Sequence, residues 1–171
     1  MLRQFLVGAV ASLSNIAIHA LVMVAVIKVT RVADSLATSH QTLRLIAVMM
    51  ATVTVLMTAH LSEVLVWSST YGLVNAASTG TDLIYFAFVN YTTLGYGDIT
   101  PVERWHLLGP MTAMNGVLLF GWSTAVIFEV LRMTLVASGE EGTLPEKRWR
   151  LEYLRLQADR RAAQPMFSFS L

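Results

Sequence analysis

The sequence predicts an all-α membrane protein of three transmembrane helices, with a short re-entrant helix and a glycine-containing loop between the second and third. Three observations predict it. Of 171 residues, 55% are hydrophobic and only 13% are charged, whereas a soluble domain carries about a quarter charged residues. Three stretches reach the roughly 20 apolar residues that a helix needs to cross a bilayer. Between the second and third lies an apolar segment too short to cross, which ends on "TTLGYGD", Thr92 to Asp98. Cysteine is absent, which excludes disulfides, thiolate metal sites and thiol nucleophiles. A net charge of +1 and the lack of any basic patch with interleaved aromatics leave no expectation of nucleic acid as a partner. The length suits one domain.

The first span is expected within residues 1–30, its apolar run covering 5–27. Arg3 before an apolar run also fits a secretory signal, but the run is too long for one and no small-residue cleavage site follows it. Ser12, Asn15 and His19 share a face with Gly8 at helical spacing. Small and polar residues on one face suit packing against another membrane helix, so a peripheral packing helix is expected. Residues 31–44 form a connection, and a central unit follows over 45–136. Its outer helix covers about 45–67, with Arg44 at the point where it leaves the hydrocarbon. Within it, His60 and Glu63 stand at i, i+3. That spacing suggests hydrogen bonding to each other or to a neighbouring helix. A metal reading lacks a third ligand, and a pH-sensing role for His60 is a secondary reading. The short helix covers about 81–92, with Thr81 or Asp82 as N-cap. The inner helix covers about 107–135, closed by Arg132.

Residues 137–171 make a tail. "SGEEGT" reads as a flexible linker, and a helix is expected over about 144–161, with Thr143 and Glu146 spaced as a capping box. Trp149, Tyr153 and Leu156 form a short apolar stripe. It suits packing with sister helices, the inner membrane surface, or a solvated extension. "PMFSFSL" carries no reading. Seven of the twelve Lys and Arg lie from Arg132 onward, while only Arg104 lies between the second and third spans. The positive-inside bias therefore puts that segment outside, the tail in the cytoplasm and the N-terminus outside. Neither of the first two spans has arginines at three-residue intervals, so the gating charge of a voltage sensor is missing.

Non-helical backbone at membrane depth survives only where it is buried in protein or faces water. Stripping water from a cation in such a medium costs tens of kcal/mol on a continuum estimate, so oxygens must replace the hydration shell. Backbone carbonyls do so when successive ones face the same way, which alternating left- and right-handed conformations achieve. Glycine enters the left-handed region cheaply, and Gly95 and Gly97 occupy alternate positions. The Thr93 hydroxyl adds a side-chain oxygen. One strand cannot surround an ion, so several copies must meet on an axis.

"TTLGYGD" after a short apolar helix and between two spans resembles the selectivity filter of potassium channels, and the stretch from about Leu45 to Met133 resembles their pore domain. The resemblance covers about half the chain. It implies a homotetramer embedded in membrane lipids, most readily the bacterial inner membrane, conducting potassium ions passively, with neither a small-molecule substrate nor catalysis. It assigns K⁺ coordination to the carbonyls of Thr93, Leu94, Gly95 and Tyr96. Gly97 shapes the outer mouth, while Thr92 and Asp98 support the filter. Leu94 stands where valine or isoleucine is commoner, and its carbonyl is unaffected. The Tyr96 ring is expected among pore-helix aromatics such as Tyr85, Phe86 and Phe88. Val89 stands where an acid can occur, so no acid–acid contact with Asp98 can form. Pore-helix C-termini aim partial negative charge at the central cavity.

Gly116 and Gly121 interrupt the inner helix, and a bending point and close packing are equally good readings of each. Gly121, Ala125, Glu129 and Met133 form a drifting i, i+4 stripe, which the resemblance places near the cytoplasmic mouth. Four Glu129 side chains are expected to ring that mouth and concentrate cations. The competing reading is an ion pair with Arg132 at i+3. Two other classes compete with a channel: a pore subunit of a potassium uptake system, and a non-conducting regulatory membrane protein. One motif per chain on only three spans disfavours the first, and the intact T-L-G-Y-G-D disfavours the second. The tail is too short for a nucleotide- or calcium-binding domain, and no acid–base or nucleophile set converges anywhere.

Overall fold

The computed structural model describes residues 1–34, 41–137 and 145–162. It contains α1 (Leu2–Asp34), α2 (Gln41–Val74), α3 (Leu83–Tyr91), α4 (Leu108–Ala137) and α5 (Pro145–Ala162), with a 3₁₀ turn at Glu103–Trp105 before α4. The segments Leu2–Lys28, Thr42–Val74 and Glu103–Val136 are long and apolar enough to cross a membrane. α1 packs against both α2 and α4, and α3 packs against the same two helices.

Lipid tails are as apolar as leucine, so membrane helices associate through close approach and polar bonds rather than hydrophobic burial. Both devices are present. A Cβ on Gly8 of α1 would lie 2.5 Å from the sulfur and methyl of Met111, so the missing side chain brings α1 onto α4. Gln4 of α1 caps the start of α4, its Oε1 accepting from the Leu107 amide at 2.9 Å. Around α3, Trp67, Tyr71, Phe86, Tyr91 and Leu108 form the main apolar cluster. Tyr71 stacks 4.7 Å from Phe86 and shares a 2.6 Å hydrogen bond with Thr112. A second cluster joins Met23 and Val26 of α1, Leu56 of α2, and Val126 and Val130 of α4.

α2 runs beyond the 45–67 span that its hydropathy predicts. The polar run Ser68–Ser69–Thr70 does not stop it, because Ser69 and Thr70 return their hydroxyls to the Leu65 and Val66 carbonyls at 2.8 Å. The helix ends instead on Asn75, whose left-handed φ of 52° lets the Ala76 amide reach back to the Tyr71 carbonyl at 2.9 Å. In α5, Tyr153 and Leu156 of the expected apolar stripe are exposed. The Trp149 side chain, the connection over 35–40, the linker and Thr143 within 138–144, and the last residues, 163–171, lie outside the described residues.

Candidate functional site

α3 delivers the loop. Asp82 is its N-cap, with Oδ1 accepting from the Ile84 and Tyr85 amides at 3.0 Å each. The helix is nine residues long and ends on Tyr91. Thr92 closes it, with both amide and hydroxyl bonded to the Phe88 carbonyl, at 2.9 and 2.7 Å. The chain then curls back over the helix end. The Val89 carbonyl accepts the Leu94 amide at 3.0 Å and the Gly95 amide at 3.4 Å, while Thr93 N–H reaches the Asn90 carbonyl at 3.0 Å. Val89 itself is buried, so the position that offers no carboxyl still anchors the loop through its main chain.

The loop alternates in handedness. Thr93, Gly95 and Gly97 have φ of 60°, 58° and 78°, with Leu94 and Tyr96 between them outside the left-handed region. The sequence points to the two glycines but not to Thr93. A β-branched residue in this region costs on the order of 1–3 kcal/mol and persists only where its surroundings dictate it. Here the hydrogen bonds to Asn90 and Val89 dictate it. The Thr93 hydroxyl donates to the Thr92 carbonyl at 2.6 Å, which leaves its oxygen able to accept. Leu94 and Tyr96 are 53% and 67% exposed on the single chain; among the described residues nothing within one copy covers the loop.

Asp98 meets α3 through Tyr85, whose hydroxyl donates to Oδ2 at 2.7 Å. That bond, more than any other effect, holds the phenol above its ordinary pKa. On α4, a Cβ on Gly116 would lie 2.0 Å from the Tyr91 carbonyl oxygen, whereas one on Gly121 would meet nothing within 4 Å. Gly121 and Ala125 are exposed, and Glu129 and Met133 are half-buried. Arg132 clasps Glu129 through both oxygens, Nη2 to Oε1 at 2.7 Å and Nε to Oε2 at 2.9 Å.

Behind the loop lies a cluster that sequence reasoning assembled only in part. His60 and Glu63 do bond, Nδ1 to Oε2 at 3.0 Å, and His60 Nδ1 is also 2.9 Å from the Tyr91 hydroxyl. Tyr91 donates that hydroxyl to Glu63 Oε2 in a short hydrogen bond. The missed member is His19 of α1, whose Nδ1 lies 2.7 Å from Glu63 Oε1. Ser123 Oγ of α4 sits between the two rings, 2.9 Å from His60 Nε2 and 3.3 Å from His19 Nε2. All five residues are buried. Nearby, Asn15 bonds the Glu63 carbonyl at 3.2 Å and Asn115 Oδ1 at 3.0 Å, an oxygen that also accepts Trp67 Nε1 at 3.0 Å. The only sequence signal for His19 was its place beside Asn15 on the polar face of a membrane helix.

His19 is the third donor that a metal reading of His60 and Glu63 lacked, and donor atoms of the three lie within 4.8 Å of one another. Their spacing is nevertheless that of hydrogen bonds. Two ligands of one tetrahedral zinc, each about 2.0–2.1 Å from the metal, stand about 3.3 Å apart, whereas these N···O contacts are 2.7 and 3.0 Å.

Residues 59–133, just under half of the chain, match the family model described as an ion channel. No curated protein and no solved structure matches the chain. The matched segment runs from the cluster-bearing part of α2 through α3 and the loop to Met133 on α4. The chain therefore combines a segment similar to an ion-channel domain with three helices long and apolar enough to cross a membrane.

Proposed function

We propose that the protein is a potassium-selective channel in which four copies bring their TLGYG segments onto one axis. The observation that carries this reading is the alternation of left-handed backbone at Thr93, Gly95 and Gly97. Such alternation lets successive carbonyls face the same side, and ringed carbonyls replace the hydration shell of an ion. The carbonyls of Thr93, Leu94, Gly95 and Tyr96 then coordinate K⁺, Gly97 shapes the outer mouth, and Thr92 and Asp98 support the segment. Exposure of Leu94 and Tyr96 on one copy supports assembly, since a single strand cannot enclose an ion. The ion-channel match over 59–133 supports the pore unit. In this reading α4 lines the inner pathway, with Gly121, Ala125, Glu129 and Met133 toward the cytoplasmic mouth. The N-terminus lies outside and the tail inside.

The test is ion flux into liposomes holding the purified protein, with potassium compared with sodium, rubidium and barium. Potassium and rubidium should pass, sodium should be excluded and barium should block. Gly95→Ala places a Cβ at a left-handed position, which costs about 1–2 kcal/mol per residue in each of four copies, and should abolish the flux. Equal sodium and potassium flux, or full flux through Gly95→Ala, would overturn the proposal.

A further inference from the structure

The His19–Glu63–His60–Tyr91–Ser123 cluster draws on all four of the helices α1 to α4. Ionisable side chains inside a membrane segment are expensive and call for a function. Their hydrogens follow from the donor and acceptor inventory. A carboxylate only accepts, so both Nδ1 atoms facing Glu63 carry hydrogen, as does the Tyr91 hydroxyl. Ser123 has one hydrogen to give, and the nearer ring nitrogen, His60 Nε2 at 2.9 Å, receives it. His19 Nε2, 3.3 Å from the same oxygen, then has a partner only by carrying a hydrogen of its own. With the hydrogens so placed, His19 is the charged ring, His60 is neutral with hydrogen on Nδ1, and Glu63 is negative. The cluster sums to zero, as burial requires of paired charges.

We propose that His19 is a positioning residue that holds a single buried proton and, through Glu63 and Tyr91, sets the start of the TLGYG segment. Tyr91 is the last residue of α3, directly before Thr92 and Thr93, so a change at its hydroxyl is felt where the loop begins. The groups facing His19 are Glu63 and His60 from α2, Tyr91 from α3 through Glu63, and Ser123 from α4, with the Trp122 ring 5.4 Å away. Among the described residues no cation other than His19 offsets the Glu63 charge. Loss of the His19 proton leaves that carboxylate buried and uncompensated. With that charge unbalanced, the cluster rearranges and shifts the Tyr91 hydroxyl that it holds.

Two measurements test this, the second resting on the channel reading and the first independent of it. Of the four histidines, the His40→Gln/His106→Gln double variant retains His19 and His60. Nitrogen-15 NMR of that protein in lipid at neutral pH should show one imidazolium and one neutral Nδ1–H ring, and adding His60→Gln should leave the imidazolium. Two neutral rings, two charged rings, or the charge on His60 would overturn the proposal. In liposomes, wild-type potassium flux should fall at least about tenfold as pH rises through loss of the proton, the scale expected for uncovering a buried charge. His19→Gln should remove that alkaline limb while His106→Gln keeps it; a limb that survives His19→Gln would overturn the proposal. A wild type without flux at any pH would remove the channel reading alone, and the NMR spectrum would still decide the proton. The spectrum also decides it should His19→Gln fail to fold.

Discussion

Gly116→Ala is the sharpest perturbation of the contact between α4 and the loop-bearing helix. The added Cβ would lie 2.0 Å from the Tyr91 carbonyl oxygen and 3.0 Å from its carbon, with the Tyr91 ring at 3.3 Å. The first of these is more than an ångström inside ordinary contact. The obstacle is main chain, which no rotamer change can move aside, so the upper end of the overpacking range applies, about 3 kcal/mol. Alanine returns about 1 kcal/mol of helix propensity, for a net loss of about 2 kcal/mol. On the scale of soluble domains of 150–250 residues that lowers Tm by about 4–8 °C. Thermal unfolding in detergent reads it directly. Gly121→Ala is the internal control, because its Cβ meets nothing within 4 Å and only the propensity gain of about 1 kcal/mol applies. The expected order is therefore Gly121→Ala above wild type, with Gly116→Ala well below. Equal unfolding temperatures for the two variants would refute the close approach of α4 to Tyr91. In single-channel records, unchanged open probability in Gly116→Ala would remove Gly116 as a bending point.

Asp82→Ala deletes the two capping bonds of α3 and should cost about 1 kcal/mol; Asp82→Asn should recover most of the loss in the same melts. Tyr85 donates to Asp98, which raises its pKa above the ordinary 10.0. A raised value means the folded state keeps the proton longer, so the contact's contribution is complete below about pH 10 and is lost as pH climbs through the raised value. Tyrosinate absorbance titrations of wild type and Tyr85→Phe should therefore differ above pH 10 by one late-titrating group; superimposable curves would remove the bond. Glu129→Gln breaks an exposed i, i+3 pair with Arg132 and should change stability by no more than about 0.5 kcal/mol. In the proposed tetramer it should lower single-channel conductance at low salt, and conductance equal to wild type would remove the ring of Glu129 side chains.

Features set by local chemistry were legible in the sequence. Apolar runs marked the three long helices, the α3 cap was narrowed to Thr81 or Asp82, and the glycines of "TLGYG" marked left-handed backbone at 95 and 97. Features set by distant partners were not. Thr93 disfavours the left-handed region on its own, and takes it because the Val89 and Asn90 carbonyls gather the amides of the loop. "SST" in α2 resembles a helix end, yet its hydroxyls turn back onto the helix. His60 and Glu63 were paired by spacing alone, whereas His19 is 44 residues from Glu63 in sequence and no period in α1 singles out its partner.

Tyr91 shows why the pore unit and the extra helix cannot be treated as separate parts. Its carbonyl abuts Gly116 of α4, its hydroxyl is held by Glu63 of α2, and its ring packs 5.4 Å from Phe120 and 6.1 Å from His60. Both ends of the residue are fixed, by different physics. The carbonyl end depends on the absence of a side chain, so only shape can disturb it. The hydroxyl end depends on a carboxylate whose charge is balanced from α1, so pH can disturb it without altering any packing volume. A pore unit made of α2, α3 and α4 alone would keep the first constraint. It would lose the second, because the balancing imidazole belongs to the first helix. α1 is therefore tied to α4 by the close packing at Gly8 and, through Glu63, to Tyr91 at the end of α3, and the peripheral position that its sequence suggests understates its reach.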